Sequence, residues 1–331
     1  MSPIWTICIP TYNRASCLKI NLEYIFKEVK GELRNDIEVL VSNNCSTDNT
    51  SEIINGFLRR GCPISYYYNV ENIGPDKNFL QCIEKAQGKY VLLLGDDDIL
   101  LPGAISAIIE MLKKNNFGMV YIANKPIKFK EKIPATKVIV KNKITAIAYS
   151  NNNLFIRKAS YFLTFMSGAV FNKELLYDLS YYDKYINSYL LQITFFLTAI
   201  LRAQANLFIV DPMLATKVND NGGYSLTDVF CINFNRILKA FMALGLTTRT
   251  ISSINNDLIV HFFPFFVAKI RTEKTSFKDK NMKSIFDKYY QKNWRYYLFI
   301  YPILVLPVFL VQPYSFFSRI IGKIFGLKFG A

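Results

Sequence analysis

The chain has 331 residues, 51% of them hydrophobic; that excludes a disordered protein and leaves room for one large α/β domain with an appendage, or two modest domains. A net charge of +15 points to an anionic partner, and Lys and Arg, though spread along the chain, are dense from Lys269 to Arg295, which favours a membrane surface over nucleic acid. Cys8, Cys17, Cys45, Cys62, Cys82 and Cys231 form no CxxC pair and His261 is the sole histidine, so no zinc site is expected and a reducing cytoplasm fits.

In chain order, residues 4–9 (IWTICI) read as a first strand, so close to Met1 that no signal peptide is expected. Residues 15–30 read as a helix, with Leu18, Leu22, Ile25 and Val29 at helical spacing. Strands follow at 37–41, 64–68, 90–94 and 118–122, alternating with helices at 50–60, 75–87 and 102–114, the last with Pro102 at its start. The alternation predicts an α/β fold with a mainly parallel sheet covered by helices. Residues 125–143 are basic, carry Pro126 and Pro134, and read as a mobile connection or a long excursion. From Ser160 to about Lys217 the chain reads as mostly helical, and after Asn219-Asp220-Asn221-Gly222-Gly223 comes a helical, aromatic-rich tail.

The chemistry gathers at strand ends. Ligands of open α/β sheets bind outside the carboxyl ends of the strands. Three such ends carry polar loops: residues 10–14 (PTYNR), 42–48 (SNNCSTD) and Asp96-Asp97-Asp98. A strand that ends in three carboxylates must meet water, cations or a ligand there, because unpaired buried charge is very costly. Hard oxygen ligands suit Mg²⁺ or Mn²⁺, held by one or two carboxylates plus substrate phosphates. Taken alone, DDD reads equally well as a solvated turn before a helix. No GxGxxG follows the first strand and no GxxxxGK[ST] occurs, which argues against a nicotinamide or flavin enzyme and a P-loop.

ICIPTYNR (7–14), VLVSNNCSTDNT (39–50), ENIGPDKNF (71–79) and AQGKYVLLLGDDDILLPGAI (86–105), in this order, resemble the motifs of a bacterial family 2 glycosyltransferase of the GT-A fold. The DDD followed by a Leu-Pro-Gly helix start looks like the abequosyltransferase-like enzymes of O-antigen or capsule glycan assembly. The resemblance implies a GT-A glycosyltransferase domain over 1–224, with a nucleotide-sugar half of about 1–123 and an acceptor half of about 124–224, and a helical C-terminal region over 225–331. It further implies a nucleotide-sugar donor, a divalent metal (Mn²⁺ or Mg²⁺) and inversion at the anomeric carbon.

Residue by residue, Pro10, Thr11, Tyr12 and Arg14 match the first donor loop. Asn43 and Asn44 stand where the family often has an Asp that accepts from the base; a UDP-sugar is favoured, and the departure leaves the base open. Lys77 and Asn78 match an arginine-asparagine pair, with Lys77 read either as a diphosphate contact or as a solvated lysine. Gly95 and Asp97 align with the first two acids of the metal motif, while the literal DxD is Asp96 and Asp98, so Asp96, Asp97 and Asp98 are all metal candidates, with Asp96 and Asp97 also facing the donor. The helix that should open with an acidic pair begins Asn187-Ser188, which leaves Asp183 as the candidate base, with Asp178 and Glu174 behind it and Asp220 elsewhere.

The tail completes the reading. Residues 296–311 (YYLFIYPILVLPVFLV) are apolar, slightly short for a span and interrupted by Pro302 and Pro307. Residues 316–329 mix apolar side chains with Arg319, Lys323 and Lys328, which suits a helix in the headgroup plane of an anionic membrane. The expectation is a monotopic anchor that brings the site to a polyprenyl-linked glycan acceptor on the cytoplasmic face of the bacterial inner membrane. The competing use of this segment is a buried helical pair or an oligomer interface. Two alternatives stand beside it, a processive polysaccharide synthase and a non-catalytic glycan-binding or scaffold protein on the same fold; a sugar-1-phosphate nucleotidyltransferase is disfavoured because the Gly-rich basic loop after the first strand is missing.

Overall fold

The structure is a computed structural model that describes residues 2–127, 144–217, 223–277, 279 and 281–324. The chain divides into two units, residues 1–218 and 219–331.

The first unit is built on a nine-stranded sheet: β1 (Trp5–Thr11), β2 (Ile37–Asn43), β3 (Ile64–Tyr68), β4 (Tyr90–Leu93), β5 (Ile99–Leu100), β6 (Met119–Ile127), β7 (Ala146–Tyr149), β8 (Ala169–Asn172) and β9 (Asn206–Lys217). The order is β3-β2-β1-β4-β8-β6-β9-β5, with β7 paired to β9. β1 and β4 are buried at every position, which is why they read as continuous apolar runs rather than alternating ones. β3, β2, β1 and β4 are parallel, so their carboxyl ends lie along one edge. Beyond β4 the sheet is mixed: β8 is antiparallel to both β4 and β6, β9 runs parallel to β6, and β5 and β7 are antiparallel to β9.

Helices cover the sheet with their apolar stripes. Ala15–Glu28 buries Leu18, Leu22, Ile25 and Phe26, and Ala104–Lys114 buries Ile105, Ile108, Ile109 and Leu112. Both pack into the cluster that contains Trp5, Ile7, Ile9, Val39, Val41 and Leu92. Helix starts and ends fall within one or two residues of the expected positions, the usual fraying uncertainty.

The stretch from Ser160 to Lys217 departs from the helical expectation. It holds the helix Leu191–Arg202, but also β8 and the twelve-residue β9. β8 is four fully buried residues, too short for its periodicity to tell strand from helix. β9 contains Pro212, which argues against a central strand; here it sits opposite Ala123, where the β6–β9 register shifts. Residues 125–127 continue β6, and the rest of the basic excursion, 128–143, lies outside the described residues.

The second unit is helical. Among the described residues one helical run, Thr248–Arg271, is long and apolar enough to cross a membrane, and 56% of its most apolar window is buried inside the protein. Phe263 of this run meets the rings of Phe286 and Tyr290, and Phe286 in turn stacks on Tyr296. The apolar stretch 296–311 does not form one helix: it is divided among Trp294–Phe299, Tyr301–Val305 and Val308–Ile324. The break before Pro307 leaves helix-end carbonyls without partners, and the Arg271 guanidinium donates to those of Ile303, Leu304 and Leu306. Val308–Ile324 packs its small face, Val311, Ser315, Ser318 and Gly322, inward, with Ser315 Oγ donating to the Pro264 carbonyl at 2.9 Å. Its outward face carries Val308, Phe309, Leu310, Phe316, Phe317 and Ile320, all exposed, Phe309 at 78%. Residues 325–329 of the expected interfacial segment lie outside the described residues.

Candidate active site

The site grows from the ends of the parallel strands. β1 ends at Thr11, and the chain turns through Asn13, which is held at φ 53° while its Oδ1 accepts from Thr47 N at 2.7 Å. Asp48 accepts from Ala15 N at 2.9 Å and from Thr50 N at 3.1 Å, so it ties two helix starts together. The first two loops are thereby laced into one wall.

β4 ends in a tight turn, with Asp98 N donating to the Gly95 carbonyl at 3.0 Å. Asn21, a polar residue on the apolar face of Ala15–Glu28, donates through Nδ2 to the carbonyls of Gly95 (3.0 Å) and Asp98 (2.7 Å) and fixes that turn. Asp96 and Asp97 then point to one side. The Arg14 guanidinium bridges them, 3.1 Å from Asp96 Oδ1 and 2.9 Å from Asp97 Oδ2, and Thr11 Oγ1 donates to Asp96 Oδ2 at 2.8 Å. Asp98 turns the other way and accepts from Ser167 Oγ at 2.6 Å, while Ser167 Oγ accepts from Gly95 N at 2.9 Å. A Cβ at position 95 would stand 2.9 Å from Asp98 Oδ2 and 3.3 Å from Ser167 Oγ, so a side chain there would have to push the Asp98 carboxylate off Ser167. The Asp98 carboxylate thus fills the space where the resemblance places the motif's first acid.

Burial sets the charge balance. It raises the Asp96 carboxyl to about 6, with Arg14 and Thr11 pulling it down and Asp97 pushing it up. It raises Asp98 to about 7, against the Ser167 hydrogen bond and with the repulsion of Asp97 and Asp96. For Arg14, burial favours loss of the proton, but the charges of Asp96 and Asp97 outweigh it and hold the guanidinium firmly protonated.

A cavity of about 370 Å³ lies against these groups, lined by Pro10, Thr11, Tyr12, Arg14, Asn44, Asn78, Asp96 and Asp97, and also by Asn72, Pro75, Phe79, Gly95 and Met166. Four of the sequence candidates do not line it: Asp98, expected as a metal ligand, turns away to Ser167, and Asn43, Lys77 and Asp183 lie elsewhere. Asn43 is wholly buried and is consumed by Ser46 N, Ser51 and Tyr66. Lys77 is exposed on a neighbouring small cavity. Asp183 is exposed on a 3₁₀ turn, Leu179–Tyr185, and lines neither cavity. Asp178 caps that turn by accepting from Ser180 N at 3.0 Å, and Glu174 is exposed beside Lys89, 3.7 Å away; Asp220 lies outside the described residues. Asn44 is present on the cavity wall but already accepts from Asn69 and Ile73 N and donates to Asn72. Asn78 braces the wall through Ser42 Oγ at 2.6 Å.

The donor set fits a divalent ion held partly by substrate. Among the described residues no three His, Cys, Asp or Glu side chains converge as a cage. Asp96 and Asp97 offer hard oxygens at the cavity edge, which matches a metal bound by one or two carboxylates together with phosphate oxygens.

A family model described as glycosyl transferase family 2 matches residues 6–177. The chain belongs to glycosyl transferase family 2. Among curated relatives, the abequosyltransferase RfbV of Salmonella typhimurium is 39% identical over 104 residues, 31% of this chain and 31% of that protein. The GalNAc(5)-diNAcBac-PP-undecaprenol beta-1,3-glucosyltransferase of Campylobacter jejuni is 30% identical over 121 residues, 36% of this chain and 37% of that one. The chain thus spans about a third of the length of these relatives. Among solved structures, S. aureus TarS 1-349 in complex with UDP-GlcNAc superposes with a TM-score of 0.60 at 16% identity, covering 97% of this chain and 90% of that one. The mannosyltransferase PcManGT of Pyrobaculum calidifontis, in complex with GDP-Man and Mn2+, gives 0.53 at 13% identity over 98% and 88%. At these identities the likeness is one of fold, the GT-A type of mixed α/β sheet flanked by helices.

Proposed function

We propose that this family 2 protein transfers a sugar from a nucleotide-sugar donor to a glycan acceptor with inversion, in the assembly of a bacterial surface glycan. One observation carries the reading: the ends of β1, β2 and β4 converge on a single cavity whose edge holds two carboxylates bridged by an arginine. A nucleoside diphosphate suits that cavity. Its nucleoside would lie along Pro10, Thr11, Tyr12 and Asn44, and its phosphates beside Arg14, Asp96 and Asp97. Arg14 balances the two carboxylates here and has the planar fork that binds phosphate oxygens bidentately. A Mn²⁺ or Mg²⁺ held by Asp96 or Asp97 would supply neutralisation of the leaving diphosphate. Asp98, clamped by Ser167, holds the turn that aims the other two.

The bond change is a single displacement. The acceptor hydroxyl oxygen bonds to the anomeric carbon, a carboxylate takes its proton, and the anomeric C–O bond breaks with its electron pair leaving on the nucleoside diphosphate. A UDP-sugar is favoured by the TarS complex; the GDP-Man of the archaeal neighbour and the asparagines at 43 and 44 keep the base a matter for experiment. A polyprenyl-diphosphate-linked acceptor is supported by the name of the Campylobacter relative and by the exposed apolar face of Val308–Ile324, which suits a monotopic anchor on the cytoplasmic side of the inner membrane.

The test is a transfer assay of the purified chain against a panel of nucleotide sugars with a polyprenyl-diphosphate glycan acceptor, with Mn²⁺ or with chelator. The reading predicts nucleoside diphosphate release that depends on metal and falls to background in Asp97→Ala. Full turnover of Asp97→Ala in chelator would remove the metal role from that residue, and no release with any donor would remove the reading itself.

A further inference from the structure

The proposed reaction needs a base, and the expected acidic pair at 187–188 is Asn-Ser. Another carboxylate occupies that place in space. Asp76, at the start of the helix Pro75–Lys85, is 4% exposed, and its Oδ2 accepts from Tyr189 N at 3.3 Å. The backbone N–H groups of Asn187 and Ser188 also bear on it and favour its charged form. Its other oxygen, Oδ1, is buried without a hydrogen-bond partner. Asp76 lines a cavity of about 50 Å³ together with Ile73, Gly74, Lys77, Asn187 and Tyr189, and Pro75 forms the wall between this cavity and the donor pocket. Of the described acids outside Asp96–Asp98, none lines the donor pocket, and Asp76 is the one on a cavity that shares a wall with it.

We propose that Asp76, from the donor half of the sheet, is the general base that Asn187-Ser188 lack, with Oδ1 as the oxygen that takes the acceptor proton. This rests on the glycosyltransferase reading above. The geometry is that of an oriented base: one oxygen is tied to a backbone cradle and the other is unshared. In the transfer, the acceptor O–H proton passes to Oδ1 as the acceptor oxygen bonds to the anomeric carbon and the nucleoside diphosphate departs with the electron pair. The acceptor hydroxyl would reach Oδ1 through the cavity beside Pro75, with the Asn187–Tyr189 cradle left in place. Burial raises the Asp76 carboxyl from its ordinary value, against the pull of the three backbone N–H groups, the direction that strengthens a base. Lys77 is the charged side chain on the same cavity wall, and the facing residues 186–189 contribute only the Tyr189 phenol.

The experiment compares full-length wild type with Asp76→Asn and Asp76→Ala, using the most active nucleotide sugar with Mn²⁺ and a saturating glycan acceptor. Asp76→Asn retains an oxygen for the backbone cradle, so its Tm and donor Kd should stay within about twofold and a few degrees of wild type, while kcat falls by ~10²–10⁴-fold. The acid limb of the wild-type kcat–pH profile should vanish with it. Asp76→Ala should lose kcat and also melt earlier, because the cradle N–H groups lose their acceptor. A purely structural role predicts near-wild-type kcat in Asp76→Asn, and that result overturns the assignment. Should Asp76→Asn prove unstable, Asp76→Glu must turn over faster than it at a temperature where both are folded; equal rates overturn the assignment too. Wild-type transfer that Asp76→Asn matches would contradict the base assignment alone, whereas absence of donor binding or of any transfer by wild type would contradict the function reading beneath it.

Discussion

Asp98 shows how far one residue's surroundings can be read from sequence. Its position at a strand end marked it for a ligand, but its actual partner is Ser167, from a segment 69 residues later whose local sequence, Met166-Ser167-Gly168, carries no signal of the site. Asn21 was legible in principle, as a polar residue on the buried stripe of Leu18, Leu22 and Ile25. The titration of the cluster has a definite sign. Asp96 and Asp98 bind protons more tightly in the fold, at about 6 and about 7, than at the ordinary 3.8. Their contribution to stability is therefore present at low pH and is lost as pH rises through that range. The metal-free protein should show this as a fall in Tm between about pH 4 and about pH 7, smaller in Asp98→Asn, which cannot ionise; an unchanged slope in that variant would show that Asp98 titrates normally.

At the scale of elements, the parallel half of the sheet was legible because each strand is short, apolar and bounded by turn residues, and each helix has one clean stripe. The antiparallel half was not, because β8 is too short for a period and β9 carries a proline at a register shift. Contacts between distant segments decide that half. Gly118, at the entry to β6, is an example: a Cβ there would lie 2.4 Å from the Ala199 carbonyl oxygen and 2.4 Å from Ala203 Cβ, both parts of the helix Leu191–Arg202 and its end. Neither can swing aside as a flexible side-chain tip can. Gly118→Ala should therefore cost about 1–3 kcal/mol or more by urea denaturation, and a variant as stable as wild type would mean that β6 and this helix are not packed this closely.

For the whole molecule, the sequence marked residues 296–311 as nearly a membrane span, because hydropathy does not register how Ile300 and Leu306-Pro307 divide a helix. What the structure leaves exposed is one face of Val308–Ile324, inverted relative to a soluble helix: small residues inward, Phe309, Phe316 and Phe317 outward. If this face lies in the headgroup region, Phe309→Ser, Phe316→Ser and Phe317→Ser combined should release the protein from anionic liposomes at low salt and leave its Tm within a few degrees. Unchanged liposome binding would move the anchor elsewhere in the chain. The central claim, that a nucleoside diphosphate is held where three strand ends meet, is tested most directly by diffraction from crystals grown with UDP and Mn²⁺. The account predicts nucleoside density along Thr11 and Tyr12, diphosphate density beside Arg14, and an anomalous manganese peak against Asp96 or Asp97. A nucleotide bound away from those loops, or a manganese peak remote from these carboxylates, would contradict it.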